Sequence, residues 1–155
     1  MMYVKVDYPE EDEELEIVRR TTGGVEIELE PRLSGEEIIR LQNLVRRVPV
    51  ADHVIRYAMR LVRDSRPGRA GAPDFVNENV AWGAGPRASQ YLVLGAKARA
   101  ALKGRFAATT EDVIAVARPV LRHRVILNFS AEAEKIKAVE AVLTEKGMES
   151  PFEGQ

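Results

Sequence analysis

The apolar positions of this chain keep two different periods. From Tyr3 to Tyr8 they alternate, with Val4, Val6 and Tyr8 on one face, and from Val25 to Glu30 they alternate again through Val25, Ile27 and Leu29. These runs predict two strands that pair with each other, a minor two-stranded element near the N-terminus. The alternative for the first run is the stump of a sheet whose other strands lie outside this chain. Between the runs, Pro9 opens a predicted helix with Glu10, Glu11, Asp12, Glu13 and Glu14 in its first turns and Arg19 and Arg20 at its end. That order of charge suits the helix dipole at both poles. Gly23 and Gly24 stop the helix.

From Ser34 onward the period becomes helical. Ser34 and Glu37 have capping-box spacing, and Leu41, Leu44, Val45 and Val48 then share a face up to Pro49. Asp52 is the predicted N-cap of the next helix, which carries Val54, Tyr57, Ala58, Leu61 and Val62, with His53 exposed and neutral in its first turn. Residues 65–81, with Pro67, Gly68, Gly71 and Pro73, read as a long loop. A helix over Pro86–Lys103 places Ala88, Leu92, Gly95 and Leu102 on one face and Arg87, Tyr91, Leu94 and Ala98 on the adjacent one. Thr109 and Asp112 start another, whose apolar spacing (Val113, Val116, Ala117, Val120, Leu121) continues across Pro119, predicting a kink or a division there. Arg122, His123 and Arg124 read as a cationic cap on its C-terminal end. Ser130 is the predicted cap of a last helix bearing Ile136, Val139 and Leu143, stopped by Gly147 and followed by a frayed tail. The sum is a mainly α fold, a small helical bundle with a minor β element.

Composition changes this picture mostly by exclusion. A chain of 155 residues holds a single core, and a net charge of −1 lacks the basic excess of a nucleic-acid binder. Without cysteine there is neither a disulfide nor a thiolate metal site, and His53 and His123 have no ligand-like spacing, so no metal ligands are assigned. No apolar run approaches the ~20 residues that span a bilayer, and no signal-peptide pattern opens the sequence, which makes a cytoplasmic protein the default expectation. No G-x-x-x-x-G-K-[ST] loop is present to cradle phosphates, and no apolar strand ends in Asp-Glu to hold magnesium. No catalytic residue is therefore assigned in this chain alone.

One stretch does carry candidate chemistry: Trp82-Gly83-Ala84-Gly85-Pro86-Arg87-Ala88-Ser89. Gly83 and Gly85 permit backbone angles other residues avoid, Pro86 is pre-set for a first helical turn, and Arg87 follows on that turn. A guanidinium on a rigid helix start can reach a partner's phosphate or carboxylate. Taken alone, these eight residues more readily describe a surface arginine where a loop meets a helix.

The order of motifs is more specific. Gly83-Ala84-Gly85-Pro86-Arg87-Ala88, then Thr110-Glu111-Asp112-Val113, then Val120-Leu121-Arg122-His123-Arg124 resemble the C-terminal lid of MoxR-type AAA+ ATPases. Val6-Asp7-Tyr8-Pro9 resembles the point where that family's ATPase core ends. The likeness covers roughly residues 3 to 145 and departs at Gly85, where the family usually has Ser. The resemblance implies that residues 1–30 are the end of the core or a connecting segment, that 31–147 are the helical lid, and that 148–155 are a flexible tail. It implies that Arg87 is a sensor reaching the terminal phosphate of ATP, and that Gly85 and Pro86 are cofactor-binding positions with it. ATP and magnesium would then be cofactors only together with the missing ATPase core. Further partners would be other subunits of a homo-oligomeric ring and a client protein, with chaperone-like remodelling as the activity. The competing reading is a free-standing helical adaptor that binds a protein through an exposed apolar groove.

In either case the isolated chain is expected not to hydrolyse ATP, since it offers one cation to a triphosphate without a phosphate nest or magnesium ligands. Robust turnover by purified chain, abolished by Arg87→Ala, would contradict this.

Overall fold

The computed structural model describes residues 2–24 and 29–134, together with Val139. Within them the chain runs α1 (Glu11–Thr22), α2 (Gly35–Arg47), α3 (Asp52–Asp64), α4 (Asp74–Asn79), β1 (Val80–Trp82), α5 (Pro86–Leu102), α6 (Thr110–Leu121), β2 (Ile126–Leu127) and α7 (Phe129–Ala133). The fold is mainly α, as the periodicity predicts, with a small antiparallel pair of strands.

Helix α5 is the centre, packed against α6, α3 and α2. It can be approached on several sides because its buried positions are mostly small: Ala88, Leu92, Gly95, Ala96 and Ala100. A Cβ on Gly95 would stand 3.2 Å from a methyl of Val116 on α6 and 2.9 Å from the tip of Met2. Val54, Ala58, Leu61 and Val62 face α5 from α3, and α6 contributes Val113, Val116, Ala117, Val120 and Leu121 to the same core. The buried stripe of α5 advances four residues at a time through Ala88, Leu92, Ala96 and Ala100, turning about 40° with each step. That rotation leaves Leu102 off the stripe, 89% exposed, where the simple helical spacing places it inside. Helices α1 and α2 bury no residue fully; Leu15, Ile17 and Val18 of α1 and Leu41 and Leu44 of α2 stay half-exposed.

The expected N-terminal β pair is not where the strands form. Residues 3–8 have no regular secondary structure and join no strand among the described residues, with Val4, Val6 and Tyr8 exposed; the Tyr3 N–H donates to the Pro119 carbonyl at 2.7 Å. An alternating run becomes a strand only beside another, and most of its expected partner, residues 25–28, lies outside the described residues. The sheet instead joins β1 to β2, pairing Val80 with Leu127 and Trp82 with Ile126. Residues 65–81 are correspondingly not a bare loop, since they contain α4 and begin β1.

The capping boxes at Ser34–Glu37 and Thr109–Asp112 form as their spacing requires. Two other caps shift. Ala51 takes the N-cap position of α3, its carbonyl accepting from Val54 and Ile55, so Asp52 is already helical. Asn128, not Ser130, caps α7, its Oδ1 accepting from the Ala131 N–H at 3.0 Å. Helix α6 runs unbroken through Pro119. Of the last predicted helix, Ile136, Leu143 and Gly147 lie outside the described residues, while Val139 is buried.

Asp112 does more than cap. Its side chain is 1% exposed and lies against Arg105, which donates to it, with the Arg99 guanidinium 3.8 Å away and the Thr109 N–H donating at 3.0 Å. Burial would raise its pKa, but the hydrogen bonds from Arg105 and Thr109 and the charge of Arg105 outweigh it and hold the carboxyl below the ordinary aspartate range. The latch ties the α5–α6 loop to the start of α6. Because the folded pKa is the lower one, this stabilisation is complete above the unfolded value of about 3.9 and is lost as pH falls through the folded value. Asp112→Ala is expected to cost about 2 kcal/mol at neutral pH, measured by denaturant unfolding, and to flatten the acid limb of stability against pH. An unchanged acid limb would contradict the latch.

Candidate functional site

The turn that leads into α5 is fixed from outside itself, by the end of α3. Ser65 continues the buried face of α3 and is wholly buried; its hydroxyl donates to the Val62 carbonyl at 2.7 Å and accepts the Ala84 N–H at 3.0 Å. Arg66, next along, donates through Nε to the Ala84 carbonyl at 2.9 Å. Both backbone polar groups of Ala84, itself 1% exposed, are thus taken by consecutive residues of another element.

The two glycines flanking Ala84 are not equivalent. A Cβ on Gly83 would lie 2.3 Å from the Ser65 carbonyl oxygen and 2.6 Å from the Arg66 Cα, so this position excludes any side chain. At Gly85 nothing lies within 4 Å, and its φ of −81° is open to every residue. The conformational freedom expected of both is used at neither, since the left-handed glycines of the described chain are Gly24, Gly68, Gly71 and Gly104. Gly83 is required for space.

Gly85 is the N-cap of α5, Pro86 occupies its first turn, and the Ala88 N–H bonds back to the Gly85 carbonyl at 2.9 Å. Arg87 follows Pro86, exposed, and makes no hydrogen bond or ion pair with any described residue. The arrangement is an exposed cation on a helix start held by hydrogen bonds from another element, suited to an anionic group presented from outside the chain.

Residues 74–145 match the AAA lid domain family. The chain is similar to chaperone MoxR1 of Mycobacterium tuberculosis, 36% identical over 134 residues that make up 86% of this chain and 35% of that protein. It is 31% identical to YeaC of Bacillus subtilis over 143 residues, covering 92% of this chain and 42% of YeaC. A crystal structure of a candidate ATPase from Cytophaga hutchinsonii superposes with a TM-score of 0.79 at 27% identity, over 96% of this chain and 46% of that one. The chain is thus similar to MoxR-type proteins over most of its length, with the match to the AAA lid domain in residues 74–145. It spans less than half the length of each of these proteins.

Tyr91, Leu94, Gly95 and Ala98 of α5 line an open apolar groove of about 460 Å³ together with Met2, Gln42, Val45 and Arg46. Arg87, predicted on the same face of α5, is not among its lining residues. Arg124 behaves as the cationic cap expected of it, donating to the Val120 carbonyl, and its guanidinium also lies 5.2 Å from the centre of the Tyr91 ring. His123 rests beside the Tyr3 ring at 5.7 Å. Among the described residues of the lid, no group of three His, Cys, Asp or Glu could hold a metal ion, and no helix is long and apolar enough to cross a membrane. Sequence reasoning missed Ser65 and Arg66. The phase Val54, Ala58, Leu61, Ser65 already placed a serine on the buried face, which was the available signal.

The contrast between the glycines is directly measurable. Gly83→Ala is expected to destabilise the lid by about 1–3 kcal/mol through overpacking, whereas Gly85→Ala or Gly85→Ser stays within about 0.5 kcal/mol. Equal effects at the two positions in thermal unfolding would contradict the clamp.

Proposed function

We propose that this chain supplies the lid of a MoxR-like AAA+ ATPase, in which Arg87 is the sensor that reaches the terminal phosphate of ATP. The observation that supports this best is a solvent-facing guanidinium without a partner among the described residues, on the first turn of the central helix, behind a turn held at both ends of Ala84. Residues 1–30 are then the end of the ATPase core and its connection, and residues 31–147 the lid. ATP and magnesium enter with the core, which provides the phosphate loop and the metal ligands. When bound, the nucleotide presents phosphate oxygens whose negative charge a guanidinium can neutralise.

In this reading Arg87 does one thing: it places a planar pair of N–H donors against those oxygens as charge shifts during phosphoryl transfer. Gly85 and Pro86 lead directly into it and aim it. Such an ATPase works as a cytoplasmic homo-oligomeric ring that remodels a client protein. The groove between α2 and α5 is what an adaptor would use. The half-exposed apolar residues of α1 and α2 are equally what a lid would cover with the rest of a longer chain.

The test is the full-length ATPase carrying Arg87→Ala and Arg87→Lys. Turnover is expected to fall about tenfold or more in the Ala variant, one decade being about 1.4 kcal/mol, with stability changed by less than about 0.5 kcal/mol. Lysine should restore turnover only in part, because an ammonium lacks the fork. Unchanged turnover, or a large loss of melting temperature without nucleotide, would remove the sensor role.

A further inference from the structure

We infer that Ser65 and Arg66, at the end of α3, are positioning residues that set where Arg87 points; the inference rests on the sensor role proposed above. Ser65 is wholly buried and its hydroxyl is used twice, as donor to Val62 and as acceptor from Ala84. Arg66 spends its Nε on the Ala84 carbonyl, although it is only half-buried and could turn to solvent. Gly83 removes the one side chain that would hold the two backbones apart.

Only Gly85 and Pro86 separate Ala84 from Arg87, and proline fixes φ at the second of these. The direction of Arg87 is thereby set by the end of α3 as well as by its own helix. Without the Ser65 hydroxyl, the buried Ala84 N–H has no acceptor, and the turn must shift to find one. A displacement of about 1 Å at a charged contact is enough to weaken it severely. Movement of α3 relative to α5 would reach Arg87 by the same two hydrogen bonds.

The experiment is a double-mutant cycle on ATP turnover in the full-length ATPase. Ser65→Ala is expected to lower kcat about fivefold with Arg87 present and by less than about twofold in the Arg87→Ala background, because the arginine it positions is already gone. Arg66→Met, which keeps the aliphatic stem at a partly exposed site, should show the same loss of effect and covers the case in which Ser65→Ala folds poorly. Amide exchange at Ala84 should quicken in both variants.

Equal losses in the two backgrounds would make Ser65 a general structural residue and overturn the inference while leaving the sensor intact. So would an unchanged kcat in both clamp variants beside a slow Arg87→Ala. If Arg87→Ala itself turns over normally, the sensor reading fails and the inference falls with it.

Discussion

The structure depends on an absence of bulk along α5 and the turn before it. Gly83, Ala84, Ala88, Gly95, Ala96 and Ala100 carry at most a methyl group, and that lets α3 and α6 close directly on the central helix. The largest fully buried side chains among the described residues are two leucines and several valines, with no aromatic among them. A core of this kind gains little from any one side chain and relies on close approach, where many short contacts add up. It is correspondingly intolerant of added atoms at the closest points.

Two buried polar groups then fix what close packing alone would let slide. Ser65 holds the turn at the start of α5, and Asp112 holds the loop after its end. The two act towards opposite ends of a 17-residue helix, about 25 Å long at 1.5 Å per residue. Anchored twice, α5 is restrained in rotation as well as in position. For a residue such as Arg87, whose value lies in its direction, that restraint matters more than local stability. Both groups are fully satisfied, so neither carries the cost of an unpaired buried atom.

Much of this was legible in the sequence wherever a rule acts over a few neighbouring residues. The boxes at Ser34–Glu37 and Thr109–Asp112, the face of α3 and the proline start of α5 are all local, and the succession of lid motifs carried the family. What was not legible depends on residues far apart. The β1–β2 pair joins segments more than forty positions apart, each too short to show a period. Gly83 and Gly85 look alike until the Ser65 carbonyl arrives beside one of them. Asp112 reads as a helix cap, and only the fold brings Arg105 and Arg99 to it. The alternating run at residues 3–8 shows the converse error, since a correct local period has no strand beside it among the described residues.

The central claim is that Arg87 reads the last phosphate of the nucleotide, and calorimetric binding of non-hydrolysable ATP analogue and ADP to the full-length protein tests it most directly. A charge-assisted hydrogen bond contributes about 1.5–3 kcal/mol, so Arg87→Ala should weaken the triphosphate about tenfold or more. ADP, which lacks that phosphate, should bind as before. Equal weakening of both nucleotides, or of neither, would contradict the claim.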